Sequence, residues 1–230
     1  MTVVEVFADV RCPFTHVGLR KVVERREAEG IDLVLRVRAW PLELVNGRPL
    51  DADLISEEVG QLRTTVAPNL FARFDPRGFP QSSLPALSLA AAAYQRDLRT
   101  GERVSLLLRD ALFEEGRDIS QPEELARIAD QAGMPYTVGS TGADQLVIDE
   151  WDDGRGRGVI GSPHFFLGDS SFFCPSLDIR HVGGELRIAF DATAFDEFMK
   201  QCRDTTECSS PEPDGRARAD ASGRHSSVTR

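Results

Sequence analysis

The sequence predicts an α/β protein in which a strand, helix and strand opening is separated from a strand-rich closing segment by a long helical stretch. Three observations carry this. The apolar run Val3-Val4-Glu5-Val6-Phe7 leads into Cys12-Pro13 and then Gly18-Leu19-Arg20-Lys21-Val22-Val23. Residues 84–134 place apolar side chains at helical spacing, and Gly158-Val159-Ile160-Gly161-Ser162-Pro163-His164-Phe165-Phe166-Leu167-Gly168 returns to strand.

The elements follow in order. Ile31 to Val37 alternates apolar and charged residues, a second strand that completes a βαβ unit. A helix is expected over Leu84 to Leu98, and Val104, Leu107, Leu108 and Ala111 mark one face of another. Ser120 stands three residues before Glu123, with Pro122 between them, which predicts a capping box opening a helix that stops at Gly133. Asp144 to Trp151 reads as a further helix, Phe172-Phe173 as a strand, and Arg180 to Phe190 as a hairpin about Gly183-Gly184. Asp191 is placed to cap a last helix through Cys202. From Asp204 onward almost nothing is apolar, so a disordered tail is expected over 204–230.

Composition excludes some classes of function. At 230 residues and 41% hydrophobic content the chain can bury a core. Its formal charge of −10 argues against nucleic acid or an anionic membrane as partner. No apolar stretch approaches the roughly 18 residues of a membrane span, and the N-terminus lacks the pattern of a secretory signal, so the expectation is a cytoplasmic protein. There, the four cysteines should be mostly free, which gives weight to a catalytic or redox thiol.

Cys12 is the focus of that chemistry. A strand delivers it to the start of a helix, where unpaired N–H groups and the macrodipole favour a thiolate. The alternative is a small buried apolar cysteine. A dithiol oxidoreductase would carry a second cysteine at the fourth position of the motif, but Cys12-Pro13-Phe14-Thr15 carries a threonine, whose hydroxyl could stabilise the sulfur. Cys12 and His16 have the i, i+4 spacing of half a zinc site, which no paired ligand motif completes, so no metal is expected. A hydrolase pairing Cys12 with His164 lacks any designated orienting acid.

The strand-Cys-Pro-helix unit, the helical segment with Asp110-Ala111-Leu112-Phe113-Glu114-Glu115-Gly116-Arg117-Asp118-Ile119-Ser120, and the Ser162-Pro163-His164 segment resemble, in this order, the DsbA-like thioredoxin-fold family. The branch in question contains FrnE-type proteins, kappa-class glutathione transferases and hydroxychromene-carboxylate isomerases. The resemblance implies a thioredoxin-like fold split by an all-helical insertion: residues 1–55 and 146–203 form the thioredoxin-like parts, 56–145 the insertion, 204–230 the tail. It implies that Pro163 is cis and opposite Cys12, with the backbone of Ser162 offered to a bound peptide or to glutathione. It implies catalytic roles for Cys12 and Thr15 and substrate contacts at Pro13, Phe14, Ser162, Pro163 and His164. Cys174 in Phe172-Phe173-Cys174-Pro175 falls on the active-site side and is either a resolving thiol or a buried strand residue. No tightly bound cofactor is implied; glutathione or another low-molecular-weight thiol is the expected co-substrate. Partners would be a disulfide-bearing protein or a small thiol or electrophile, and a homodimer is compatible with the family. Three functions stay open: a thiol-disulfide oxidoreductase acting through Cys12 alone, a glutathione-like transferase or isomerase with an apolar electrophile pocket under the insertion, and a noncatalytic binding protein on the same scaffold.

Overall fold

The computed structural model describes residues 1–135 and 142–208, with side chains through 205. β1 (Thr2–Ala8), α1 (Pro13–Glu29) and β2 (Leu33–Ala39) form the opening βαβ unit, the two strands pairing in parallel from Thr2 with Leu33 to Ala8 with Ala39. Six α-helices follow among the described residues: α2 (Leu42–Asn46), α3 (Ala52–Thr65), α4 (Leu84–Arg96), α5 (Leu98–Phe113), α6 (Pro122–Gln131) and α7 (Ala143–Gly156). The chain then returns through β3 (His164–Leu167) and β4 (Ser170–Phe173). Both pair antiparallel, giving a sheet in the order β2-β1-β3-β4. A hairpin of β5 (Leu177–Val182) and β6 (Glu185–Phe190) and the helix α8 (Ala192–Cys208) complete the fold.

Alternation along β1 assigns its two faces. Val4, Val6 and Ala8 pack with Leu19 and Val22 of α1 and with Phe195, Phe198 and Met199 of α8. Phe7 faces the other way, with Trp40, Val159 and Phe166. There α7 comes so near that a Cβ on Gly154 would lie 2.9 Å from the Phe7 and Trp40 rings.

The edge strand β2 does not leave its outer amides open. Leu35 donates to Glu102 of α5 at 3.0 Å, Val37 to the Tyr94 hydroxyl of α4 at 2.9 Å, and Ala39 to Glu150 of α7 at 2.8 Å. The helical segment is thereby docked on the sheet by the groups that a bare edge would expose. At the other end of the fold, Leu177 and Ile188 of the hairpin join Ile55, Val59 and Leu62 of α3 in one apolar core. The hairpin turns on Gly183 and Gly184, at φ 63° and 87°, the left-handed pair that a two-residue turn requires.

Several expectations change in detail. Ser120 does not cap α6; its hydroxyl donates to Asp118 at 2.6 Å and Gln121 holds the cap position. The stretch before Pro163 is loop, and β3 begins only at His164. Asp191 does cap α8, accepting the Ala194 amide at 2.9 Å, but the helix continues to Cys208, so residues 204–208 are ordered where a tail was expected. The remainder of that expectation, 209–230, lies outside the described residues.

Candidate active site

Cys12 occupies the N-cap of α1 with extended backbone, and Pro13 follows in the first turn, where its missing N–H costs nothing. The turn is closed by the Cys12 amide on the Asp9 carbonyl at 3.4 Å and the His16 amide on the Cys12 carbonyl at 3.2 Å. The thiol donates to the Ser162 carbonyl at 3.2 Å. The Ser162 hydroxyl accepts the Asp9 amide at 2.9 Å and lies 2.9 Å from the Thr15 hydroxyl. The Ser162-Pro163 peptide is cis. Three contacts thus converge on the residue before the proline and seat the loop against the start of α1.

Cys12 is only 3% exposed. Burial pushes the Cys12 thiol above its ordinary value, against the opposing pull of the Thr15 hydroxyl and amide and of Ser162. The expectation of a resting thiolate is therefore corrected: desolvation outweighs the helix terminus, and the group is a thiol that donates a hydrogen bond. A carboxylate adds to the effect. Glu58 of α3, without a hydrogen-bond or ion-pair partner among the described residues, is pushed up to about 7 by burial, and its charge raises Cys12 further.

Beneath the loop is a buried polar cluster. Asp9 and Arg11 are fully buried. The Asp9 carboxylate accepts the Arg11 amide at 2.8 Å, the Leu42 amide at 2.8 Å and the Ser83 hydroxyl at 3.1 Å. The Arg11 guanidinium donates to the Pro80 carbonyl at 3.2 Å and to Glu43 at 3.1 Å. These bonds tie the Cys12 loop to the start of α2 and to the segment before α4. One turn along α1, buried His16 lies 2.6 Å from Glu114, which also accepts the Phe71 and Ala72 amides at 3.0 and 3.2 Å. Burial lowers the His16 pKa, while His16 and the two amides hold Glu114 below its ordinary value. At neutral pH this is a neutral imidazole on a carboxylate, packed against the Phe71 and Phe113 rings.

Of the residues singled out in the sequence, Cys12, Thr15, Ser162 and Pro163 come together. Pro13 is buried, and Phe14 is half-buried against the core that α3 shares with the hairpin. His164 goes elsewhere. It pairs with Phe7 across the sheet and so lies on the α7 face, away from α1. Its Nδ1 accepts the Ile160 amide at 3.4 Å and its ring stacks on Phe166 at 4.6 Å. A pairing of His164 with the Cys12 sulfur does not match this geometry. Cys174 is buried and reduced, with its amide on the Pro163 carbonyl at 3.1 Å.

The apolar electrophile pocket expected under the insertion has two candidate places. Where α4 and α5 meet β2, the interior leaves about 10 Å³ beside Leu108, Arg109 and Glu150, room for one water. A cleft of about 800 Å³ opens between α3, within the expected insertion, and the hairpin, and its lining is largely polar, with Glu57, Glu58, Gln61, His181 and Arg187 among its residues. Among the described residues no three His, Cys, Asp or Glu side chains are grouped to hold a metal, and no helix is long and apolar enough to cross a membrane.

Asp9, Arg11 and Glu58 were missed from sequence. The first two look like an exposed turn, and the one available signal was that two opposite charges flank Val10 directly between a strand and a helix-capping cysteine. Glu58 carried no signal, since its partial burial arises only once distant parts of the chain pack around α3.

No curated protein sequence matches the chain significantly. A structure of 2-hydroxychromene-2-carboxylate isomerase aligns with a TM-score of 0.59 at 16% identity, over 90% of this chain and 100% of the other. A probable DsbA oxidoreductase from Streptomyces coelicolor aligns at 0.59 and 16% identity over 97% of both chains. The cytosolic disulfide reductase DsbM from Pseudomonas aeruginosa, also solved with GSH, aligns at 0.54 and 14% identity over 90% of this chain and 97% of its own. At these identities the likeness is one of fold. The DSBA-like thioredoxin domain matches residues 3–187, from β1 into β6, and it is to this family that the chain belongs.

Proposed function

We propose that the protein is a thiol-disulfide oxidoreductase acting through Cys12. The observation that carries this reading is the Cys12 thiol set at the start of α1 on the Ser162 carbonyl, at 3.2 Å. A substrate backbone N–H entering at the Ser162-Pro163 turn would compete for that carbonyl and free the thiol. Having lost its proton to solvent, the Cys12 sulfur attacks one sulfur of R–S–S–R′; the Cys12–S–S–R bond forms, R′–S⁻ leaves with the electron pair and takes up a proton. Thr15 lowers the cost of the anion by its hydroxyl. The co-substrate is glutathione or a related low-molecular-weight thiol, a choice supported by the fold shared with the GSH-bound disulfide reductase. That neighbour's cytosolic setting likewise supports a cytoplasmic one here.

The test is incubation of the reduced full-length chain with oxidised glutathione, followed by peptide mass mapping. Oxidation of Cys12, as a glutathione adduct or as a disulfide formed from that adduct, lost in Cys12→Ser, is the expected result. A Cys12 that stays unmodified across pH 7 to 10 while the chain remains folded overturns the reading and leaves a binding scaffold. The transferase or isomerase reading draws support from the cleft of about 800 Å³; turnover of an aromatic electrophile with glutathione, without disulfide exchange, would establish it instead.

A further inference from the structure

The pairing of β3 with β4 runs past the ends of both strands. His164 stands opposite Phe173, and one step further the Cys174 amide donates to the Pro163 carbonyl at 3.1 Å. Cys174 is therefore the residue across from the proline of the site. The turn lies against α1: a Cβ on Gly18 would lie 3.7 Å from Pro163 Cγ and 3.9 Å from Phe165 Cζ. Cys12 and Cys174 thus flank a single turn, one bonded to the Ser162 carbonyl and the other to the next carbonyl along.

Two further features single Cys174 out. Its φ of 46° lies in the left-handed region, which residues other than glycine seldom enter and which is held only where the surroundings impose it, as at functional sites. Its thiol also lies within electrostatic reach of Cys12, because after burial the Cys12 charge is what raises its pKa, to about 12.

We propose that Cys174 is the second thiol of this centre, taking over across the Ser162-Pro163 turn the part for which Thr15 leaves no cysteine in the helix. The proposal rests on the reading of Cys12 as the thiol that attacks substrate disulfides, and it names the group that completes the exchange. In the first step Cys12 forms Cys12–S–S–R and releases R′–SH. In the second, the Cys174 thiolate attacks the Cys12 sulfur, the S–S bond of the mixed disulfide breaks, R–S⁻ leaves with the electron pair and takes up a proton, and a Cys12–Cys174 disulfide remains. The substrate disulfide is reduced by two electrons and the protein dithiol oxidised by two. A dithiol, or two equivalents of a low-molecular-weight thiol, returns the pair to its reduced form.

The test treats the reduced full-length chain with one equivalent of 5,5′-dithiobis(2-nitrobenzoate), follows the release of nitrothiobenzoate and maps the products by peptide mass. In the wild type the expected result is release of both nitrothiobenzoate groups and a peptide joined through Cys12 and Cys174. Cys174→Ala should stop after the first release with the adduct held on Cys12, its lifetime longer by about tenfold or more, since attack from within the chain replaces a bimolecular one. Cys174→Gly should behave alike, and it tolerates the left-handed backbone should the alanine variant fold poorly. An adduct that persists on Cys12 in the wild type overturns this proposal while leaving the function of Cys12 intact. Absence of a Cys12 adduct in all three proteins overturns both.

Discussion

Thr15 Oγ1 lies 2.9 Å from Ser162 Oγ, joining the first turn of α1 to the residue whose carbonyl takes the Cys12 thiol proton. The Thr15 hydroxyl is also the foremost influence holding the Cys12 thiol down against burial. Thr15→Val keeps the shape at this buried position and removes the hydroxyl. One hydrogen bond of about 0.5–1.5 kcal/mol corresponds to roughly 0.4–1.1 pH units. The iodoacetamide alkylation profile of Cys12 should therefore move to higher pH by that amount. An unmoved profile would confine Thr15 to a structural part.

Glu58→Gln should act in the opposite direction. The Glu58 carboxyl is pushed up to about 7 and is charged above that pH, where it opposes ionisation of Cys12. The glutamine variant lacks that charge, so Cys12 alkylates at lower pH, and the gain over wild type is confined to pH values above about 7. A gain that persists equally at pH 6 would mean that packing, not charge, is responsible.

Arg11→Leu removes the cation from a cluster in which Asp9 and Glu43 remain. Because the arginine and Asp9 are fully buried, the expected loss is about 3–5 kcal/mol. Urea unfolding should show a lower midpoint at an unchanged slope. A loss below about 1 kcal/mol, the range of an exposed ion pair, would contradict the placement of this network.

The His16-Glu114 pair predicts acid sensitivity. The folded His16 pKa is lowered from 6.5 by burial, so between its folded value and 6.5 the unfolded chain binds a proton that the folded chain refuses. Stability therefore falls as pH drops below 6.5. Glu114 is held below its ordinary 4.5; its contribution is present above that value and is lost later, as pH falls through the folded value. His16→Phe should abolish the first loss, which urea midpoints at pH 7.5, 6 and 5 would reveal. A wild-type midpoint flat from pH 7.5 to 5 would rule the mechanism out.

The architecture was legible because it rests on periodicity. Val104, Leu108 and Ala111 are buried on α5 as their spacing requires, and Gly183-Gly184 turns the hairpin as two left-handed residues must. Ser120 was misread because Asp118, two residues away, takes both its hydroxyl proton and its amide, and the cap position falls to Gln121. Local competition of that kind leaves no mark on apolar patterning.

By itself the sequence determined the α/β class, the order of its elements, the family resemblance, and a cysteine at a helix start followed much later by Ser162-Pro163. These are properties of short segments, set by local backbone preference and by the side on which apolar groups fall. Tertiary structure alone decided that the Cys12 sulfur is buried and protonated, that His164 turns to the far face, that Arg11 and Asp9 are interior, and that Cys174 stands across from Pro163. Each of these depends on which distant groups meet and on how much water they exclude, and desolvation, unlike periodicity, has no expression until the chain has closed around the site.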